Sequence, residues 1–197
     1  MDARSITPSP QQLRALTHPT RLQMLGILRT EGSTTATALA QRLGLNTGAT
    51  SYHLRQLAQH GFITDDETRG NGRERWWRAA HASTRTDWED DPNPADKETL
   101  DAYLQSVVVV YTQMLQQAVE ERAMLPDEWR NASTMSDWRF RLSPEQARRL
   151  IEVVSAAIED FEEAEALPDD NPDGVPFTVM FSAFPRPGEL GGAGATS

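Results

Sequence analysis

Asn46-Thr-Gly-Ala-Thr-Ser-Tyr-His-Leu-Arg-Gln-Leu-Ala-Gln-His-Gly-Phe-Ile63, followed by an acidic step and then Arg69-Gly-Asn-Gly-Arg-Glu-Arg-Trp-Trp-Arg78, reads as a helix, a short strand, a tight basic turn and a second strand. Asn46 suits an N-cap, because its short side chain accepts a first-turn backbone N–H. Gly61 suits the exit, where helices commonly turn left-handed. At 100° per residue, Thr50, Leu54, Leu57 and Gly61 share one face. Gly48, Ser51, Tyr52, Arg55, Gln56 and Gln59 share the other, which carries no acid and displays the donors and acceptors that read base edges in a major groove. Such a face alone is also the face of any solvated amphipathic helix, so its neighbours must decide.

Upstream, Ser33 to Leu43 reads as a second short helix with Leu39, Ala40 and Leu43 apolar and Gly44 ending it. Gly44-Leu45-Asn46 leaves only a turn between the two helices, which is the helix-turn-helix arrangement. Downstream, Phe62-Ile63 begins a strand and Gly70-Asn71-Gly72 is hairpin chemistry, since both residue types tolerate positive φ. Arg69, Arg73 and Arg75 flank the tip. A basic hairpin beside a recognition helix is a wing.

Four segments carry a resemblance: Leu13-Arg14-Ala15-Leu16-Thr17-His18-Pro19-Thr20-Arg21-Leu22, Leu39-Ala40-Gln41-Arg42-Leu43-Gly44-Leu45, Ser51-Tyr52-His53-Leu54-Arg55-Gln56-Leu57 and Gly61-Phe62-Ile63. In this order, over roughly the first 80 residues, they resemble the winged helix-turn-helix of ArsR-type bacterial repressors. The resemblance implies a dimeric DNA-binding regulator. It departs from the metal-sensing members, which bind through cysteines, because this chain has none.

The 197 residues suffice for one large or two small domains. Zero cysteines exclude disulfides, thiolate metal sites and a cysteine nucleophile, and fit a reducing cytosol. No apolar run approaches the ~20 residues of a membrane span, so no membrane partner and a cytoplasmic location are expected. The net charge of −10 argues at first against nucleic acid. It is unevenly placed: residues 1–85 hold eleven arginines against six acids, or +5, and the remainder eight bases against twenty-three acids, or −15. A basic first half joined to an acidic second half is the asymmetry expected when one domain faces phosphate.

Met1 to Gln11, with Pro8 and Pro10, reads as an irregular lead-in to a first helix through Leu13 and Leu16. Pro19 opens the next helix, whose buried side is Leu22, Leu25, Ile27 and Leu28. His18, just before it, reads as a capping or packing residue rather than a ligand. His53, His60 and His81 show no ligand spacing with carboxylates. On the second wing strand Trp76 and Trp77 alternate faces, one expected on the helices and the other nearer the surface.

Ala82 to Pro94 is polar and reads as a linker. Asn93-Pro94 then starts a long helix in which Leu100, Leu104, Val107, Tyr111, Met114 and Ala118 repeat at spacings of four and three, a coiled-coil-like seam. Val108, Val110, Leu115 and Val119 widen the apolar surface, so its own C-terminal domain and a second subunit are both expected to cover it. Residues 134–142 alternate, with Trp138, Phe140 and Leu142 opposite Asp137, Arg139 and Arg141, which predicts a half-buried strand. Ser143-Pro144-Glu145-Gln146 is a capping box opening a helix with Ala147, Leu150, Ile151, Val154, Ile158 and Phe161 at helical spacing. The carboxylates on its other face read as a solvated surface. Phe177 to Phe184 is a second expected strand, and the Gly/Ala/Ser tail is expected to be disordered.

The expected fold class is α+β: a winged helix-turn-helix DNA-binding domain over 1–85, a linker over 86–94, a dimerisation and effector domain over 95–187 built as strand, helix, strand, and a tail over 188–197. Ser51, Tyr52, Arg55 and Gln56, beside Gly48, are expected to face bases, with Thr47, His53, Arg69, Asn71 and Arg73 nearer phosphate or minor groove. Leu100, Leu104, Val107, Tyr111 and Met114 are the expected homodimer interface. Tyr103, Trp129, Trp138, Phe140, Phe177 and Phe181 could line a pocket for a small organic effector, or simply fill a small core. No phosphate loop, serine elbow or zinc-protease motif occurs, so no catalytic residue, metal site or cofactor is expected. Two functions fit: a sequence-specific duplex-DNA-binding regulator, expected to repress as a homodimer, or a winged-helix module that binds protein instead of DNA.

Overall fold

Each helix of the first half is delimited by a signal that the sequence carries locally. In the computed structural model, which describes residues 5–69, 74–86, 94–165, 171 and 174–189, a Ser9 capping box opens helix α1 (Pro10–Leu13), which tightens into a 3-10 turn at Arg14–Leu16. His18 caps α2 (Pro19–Thr30), its Nδ1 accepting the Thr20 N–H at 3.2 Å, with Pro19 where a missing N–H costs nothing. Thr35 caps α3 (Ala36–Leu43), shorter at its start than the expected helix from Ser33, because Thr34–Thr35 pair as strand β2 instead. Asn46 caps α4 (Thr47–Gln59), its Oδ1 accepting the Ala49 N–H at 2.7 Å.

Two glycines make the turns possible. Gly44, at φ 64°, ends α3 while the Leu45 N–H reaches back to the Ala40 carbonyl at 2.8 Å. Gly61, at φ 80°, ends α4 and lets the Phe62 N–H bond the Leu57 carbonyl at 3.0 Å. A side chain with Cβ would be strained at either place.

The sheet is a three-stranded antiparallel ribbon in the order β2-β4-β3, with β3 at Ile63–Asp65 and β4 at Trp76–Ala79. Trp77 points into the core and Trp76 is half-buried, the expected division of that pair. A second pairing, absent from the sequence reading, joins β1 (Ser5–Ile6) in parallel to β5 (Ser83–Thr84). Leu16, Met24, Leu25, Leu28, Leu39, Leu54, Leu57 and Phe62 form the fully buried centre. A side chain of that size contributes about 1.5–3 kcal/mol when buried, so this cluster holds α2, α3 and α4 as one body.

The long helix α5 (Pro94–Glu121) packs on α1 and α2. Tyr103 enters the core, Ser106 donates to the Thr17 carbonyl at 2.7 Å and Gln23 donates to Gln113 at 2.7 Å. The chain divides into two compact units, Met1–Leu125 and Pro126–Ser197, so α5 belongs with the first unit, whereas the expected boundary lay at 86–94. Residues 87–93, with the Asn93 cap, and the hairpin tip 70–73 lie outside the described residues.

In the second unit, a short helix α6 (Asp127–Asn131) precedes α7 (Pro144–Glu165). The Ser143 box is present: the Ser143 N–H donates to Gln146 Oε1 at 2.9 Å, and the Gln146 N–H to Ser143 Oγ at 3.2 Å. The flanking strands expected at 134–142 and 177–184 are not formed within the chain, because neither segment makes a ladder among the described residues. Alternating polarity encodes an apolar face, but a strand also needs a neighbour, and no local pattern specifies where that neighbour comes from. Of the tail, 190–197 lies outside the described residues.

Candidate nucleic-acid interface

Helix α4 turns Thr50, Leu54 and Leu57 into the core, each 0 % exposed, which fixes what it turns outward. Thr47, Gly48, Tyr52 and Arg55 are exposed, and Ser51, His53 and Gln56 are half-buried beside them. Tyr52 is 52 % exposed, a large aromatic group held away from every core contact it could make. No acid lies on α4, so nothing on this face repels phosphate. A close approach of backbone is available at Gly48, where a Cβ would meet Asn46 Oδ1 at 3.3 Å, tight against the cap itself.

His53 leans back towards the start of α2. Its ring centroid lies 4.7 Å from that of His18 and 5.6 Å from that of Tyr52. Its Nδ1 is buried and has no hydrogen-bond partner among the described residues, as is true of the neighbouring Arg21 Nε. Desolvation, with His18 and Arg21 nearby, holds the His53 imidazole below the usual histidine range.

The wing is anchored at its base. Buried Asp66 directly follows β3 and accepts the Ser33 hydroxyl, the Thr68 hydroxyl at 2.6 Å and the Thr68 N–H at 3.2 Å. These bonds, from Ser33 first and then Thr68, hold its carboxyl below the usual carboxylate range. The turn so formed presents exposed Arg69, whose guanidinium lies 5.9 Å from the Trp76 ring centre. Arg75 sits 4.1 Å over the Trp77 ring and donates to Asp65 at 2.5 Å, so it braces the two strands. Arg75, which flanks the expected hairpin tip but is not among the expected phosphate contacts, has this bracing role, which spacing alone does not indicate. Asp66-x-Thr68 is an Asx-turn signal that could have located the anchor. Asn71 and Arg73, both expected at phosphate or minor groove, lie outside the described residues.

Arg29 holds the exit from the wing by donating to the His81 carbonyl at 2.9 Å and Thr84 Oγ1 at 2.9 Å. Burial lowers its guanidinium to about 10 and raises the Tyr103 phenol to about 12. Helix α2 and the segment that leaves the wing are thereby joined by polar as well as apolar contacts.

A family model described as a helix-turn-helix domain matches residues 16–66, from the 3-10 turn through α2, α3 and α4 to Asp66. Nothing among curated proteins matches the chain. The chain carries a helix-turn-helix domain, which points to a DNA-binding regulator.

The other expected site residues are divided between the two units. Leu100, Leu104 and Val107 pack against the core of their own domain, while Tyr111 and Met114 are each 37 % exposed. Tyr103 is a core residue of the first unit. In the second unit Trp129 is half-buried with its ring centroid 6.4 Å from that of Phe177, and Trp138, Phe140, Phe177 and Phe181 are exposed. An open shallow cleft bordered by Ile27, Glu31, Thr34, Leu39 and Arg42 involves none of the residues expected at an effector pocket. Among the described residues no group of three or more His, Cys, Asp or Glu converges on a metal position, and no helix is long and apolar enough to cross a membrane.

Proposed function

We propose that this protein is a sequence-specific, duplex-DNA-binding transcriptional repressor of ArsR-like type that acts as a homodimer and does not sense metal through thiolates. The outward face of α4 carries the proposal. Ser51, Tyr52, Arg55 and Gln56 project from a helix whose opposite side is locked into the core, next to a wing base carrying Arg69. Their chemistry suits base edges: Arg55 offers a bidentate fork for guanine and Gln56 a donor–acceptor pair for adenine. We read Thr47, His53 and Arg69 as the residues nearer phosphate, with Gly48 letting the backbone approach.

The homodimer reading rests on α5. Val108, Tyr111, Leu115 and Val119 form an exposed apolar stripe on the helix side away from α1 and α2, with Met114 beside it. A two-fold pairing along that stripe gives two recognition helices, matching a palindromic operator. Selection of duplexes from a random pool by the full-length chain tests the proposal. A recurrent palindrome is expected, and no enrichment over a scrambled pool refutes sequence-specific binding.

A further inference from the structure

The second unit is short of a core. Neither α6 nor α7 buries a single residue, and thirteen large apolar side chains of this unit stand exposed among the described residues. Trp138 is 75 %, Phe140 62 %, Phe161 65 % and Phe184 72 % exposed. Exposure of so many large apolar side chains in one small unit marks a surface that a partner covers, since monomers rarely leave contiguous apolar patches beyond a few hundred Å² (about 300–600 Å²) uncovered.

The shape of the missing cover can be read from the chain. Segment 134–142 alternates apolar and polar residues as a strand does and 177–184 is largely apolar on both faces, yet neither has a ladder partner among the described residues. One chain supplies at most two such strands and one helix, whereas sheets ordinarily have about four to six strands. Two copies supply four strands and two helices, enough for one sheet with a helical layer on its apolar face. The 177–184 edge does not discourage a second copy. Strand edges that must avoid their own kind carry charges or inward lysines, and nothing between Val175 and Phe184 is charged. The 134–142 segment, by contrast, carries Asp137, Arg139 and Arg141 on the face opposite Trp138, Phe140 and Leu142.

We infer that the second unit completes its fold on a second copy of this chain, the 134–142 and 177–184 segments of the two copies pairing into one shared sheet covered by both α7 helices. Trp138, Phe140 and Leu142 with Phe177, Val179 and Phe181 then form its inner face against Ile151, Ile158 and Phe161. This rests on the homodimer reading and extends it. The two chains are joined by exchanged backbone hydrogen bonds as well as by side-chain contact along α5.

Hydrogen–deuterium exchange of the full-length protein across a concentration series, with sedimentation on the same samples, tests the inference. Amides in 134–142 and 177–184 are expected to slow by at least ~10-fold in step with dimer formation. A dimer in which these amides exchange freely, or are protected equally in monomer and dimer, overturns the shared sheet and leaves the homodimer standing. A monomer throughout overturns both. Where the dimer persists at every dilution, a mixed sample of ¹³C-labelled and unlabelled chains decides. Isotope-filtered NOEs from Phe140 or Phe177 to strand residues of the other copy are expected, and NOEs confined to one copy refute the exchange.

Discussion

Leu54 and Arg55 are adjacent in sequence and face opposite ways, so they separate folding from DNA recognition. Leu54 is 0 % exposed among Leu57, Phe62 and the α2 leucines. Leu54→Ala removes three buried carbon groups at about 0.8 kcal/mol each, or ~2.4 kcal/mol, and the cavity left behind brings the loss to about 3–4 kcal/mol. Arg55 is exposed and no hydrogen bond or ion pair among the described residues holds it in place, so Arg55→Ala should leave stability within about 0.5 kcal/mol. Its loss from a base contact should cost roughly 1–3 kcal/mol of binding, about 5- to 150-fold in Kd. Urea denaturation gives the first quantity, and fluorescence anisotropy with the selected duplex gives the second. If Leu54→Ala costs less than about 1 kcal/mol, the core assignment of α4 is wrong. If Arg55→Ala binds every selected duplex like the parent, the outward face does not read bases.

Three further outcomes follow from the same geometry. Asn46→Ala, which removes the 2.7 Å bond to the Ala49 N–H, should destabilise by about 1 kcal/mol in thermal melts, and an unchanged Tm would contradict the cap. His53 favours its neutral form when folded, so its contribution to stability is present above the unfolded value of about 6.5 and is lost as pH falls through the lowered folded value. His53→Gln should flatten that acid limb of a stability–pH profile, and an identical profile would refute the assignment. Val108→Glu with Leu115→Glu, which places charge on the exposed stripe of α5, should weaken self-association in sedimentation, and an undiminished dimer would move the interface elsewhere.

The parts of the fold that were legible in sequence are those set by local chemistry. Asn46, Gly44 and Gly61 act through their own backbone and nearest turn, and the 3.6-residue pattern of α4 names its buried face without knowledge of the neighbours. The C-terminal half was harder because its partners are distant. In α5 apolar residues surround the helix from Val107 to Val110, so spacing could not say that Leu100, Leu104 and Val107 turn to their own domain while Val108 and Leu115 turn away. The same limit applies at 134–142, where alternation describes a face, and at 177–184, because a ladder depends on another chain segment. In the wing, sequence left Arg75 without a role, because its ties to Asp65 and the Trp77 ring depend on how the two strands pair.

The central claim is that a basic winged helix-turn-helix on an otherwise acidic chain binds duplex DNA through phosphate as well as base contacts. The most direct test is the affinity of the full-length protein for its selected duplex across a salt series. The account predicts a linear fall of log affinity with log salt, at a slope of about −0.9 for each phosphate neutralised, and a shallower slope for Arg69→Ala. Absence of duplex binding, or an affinity indifferent to salt, would contradict it.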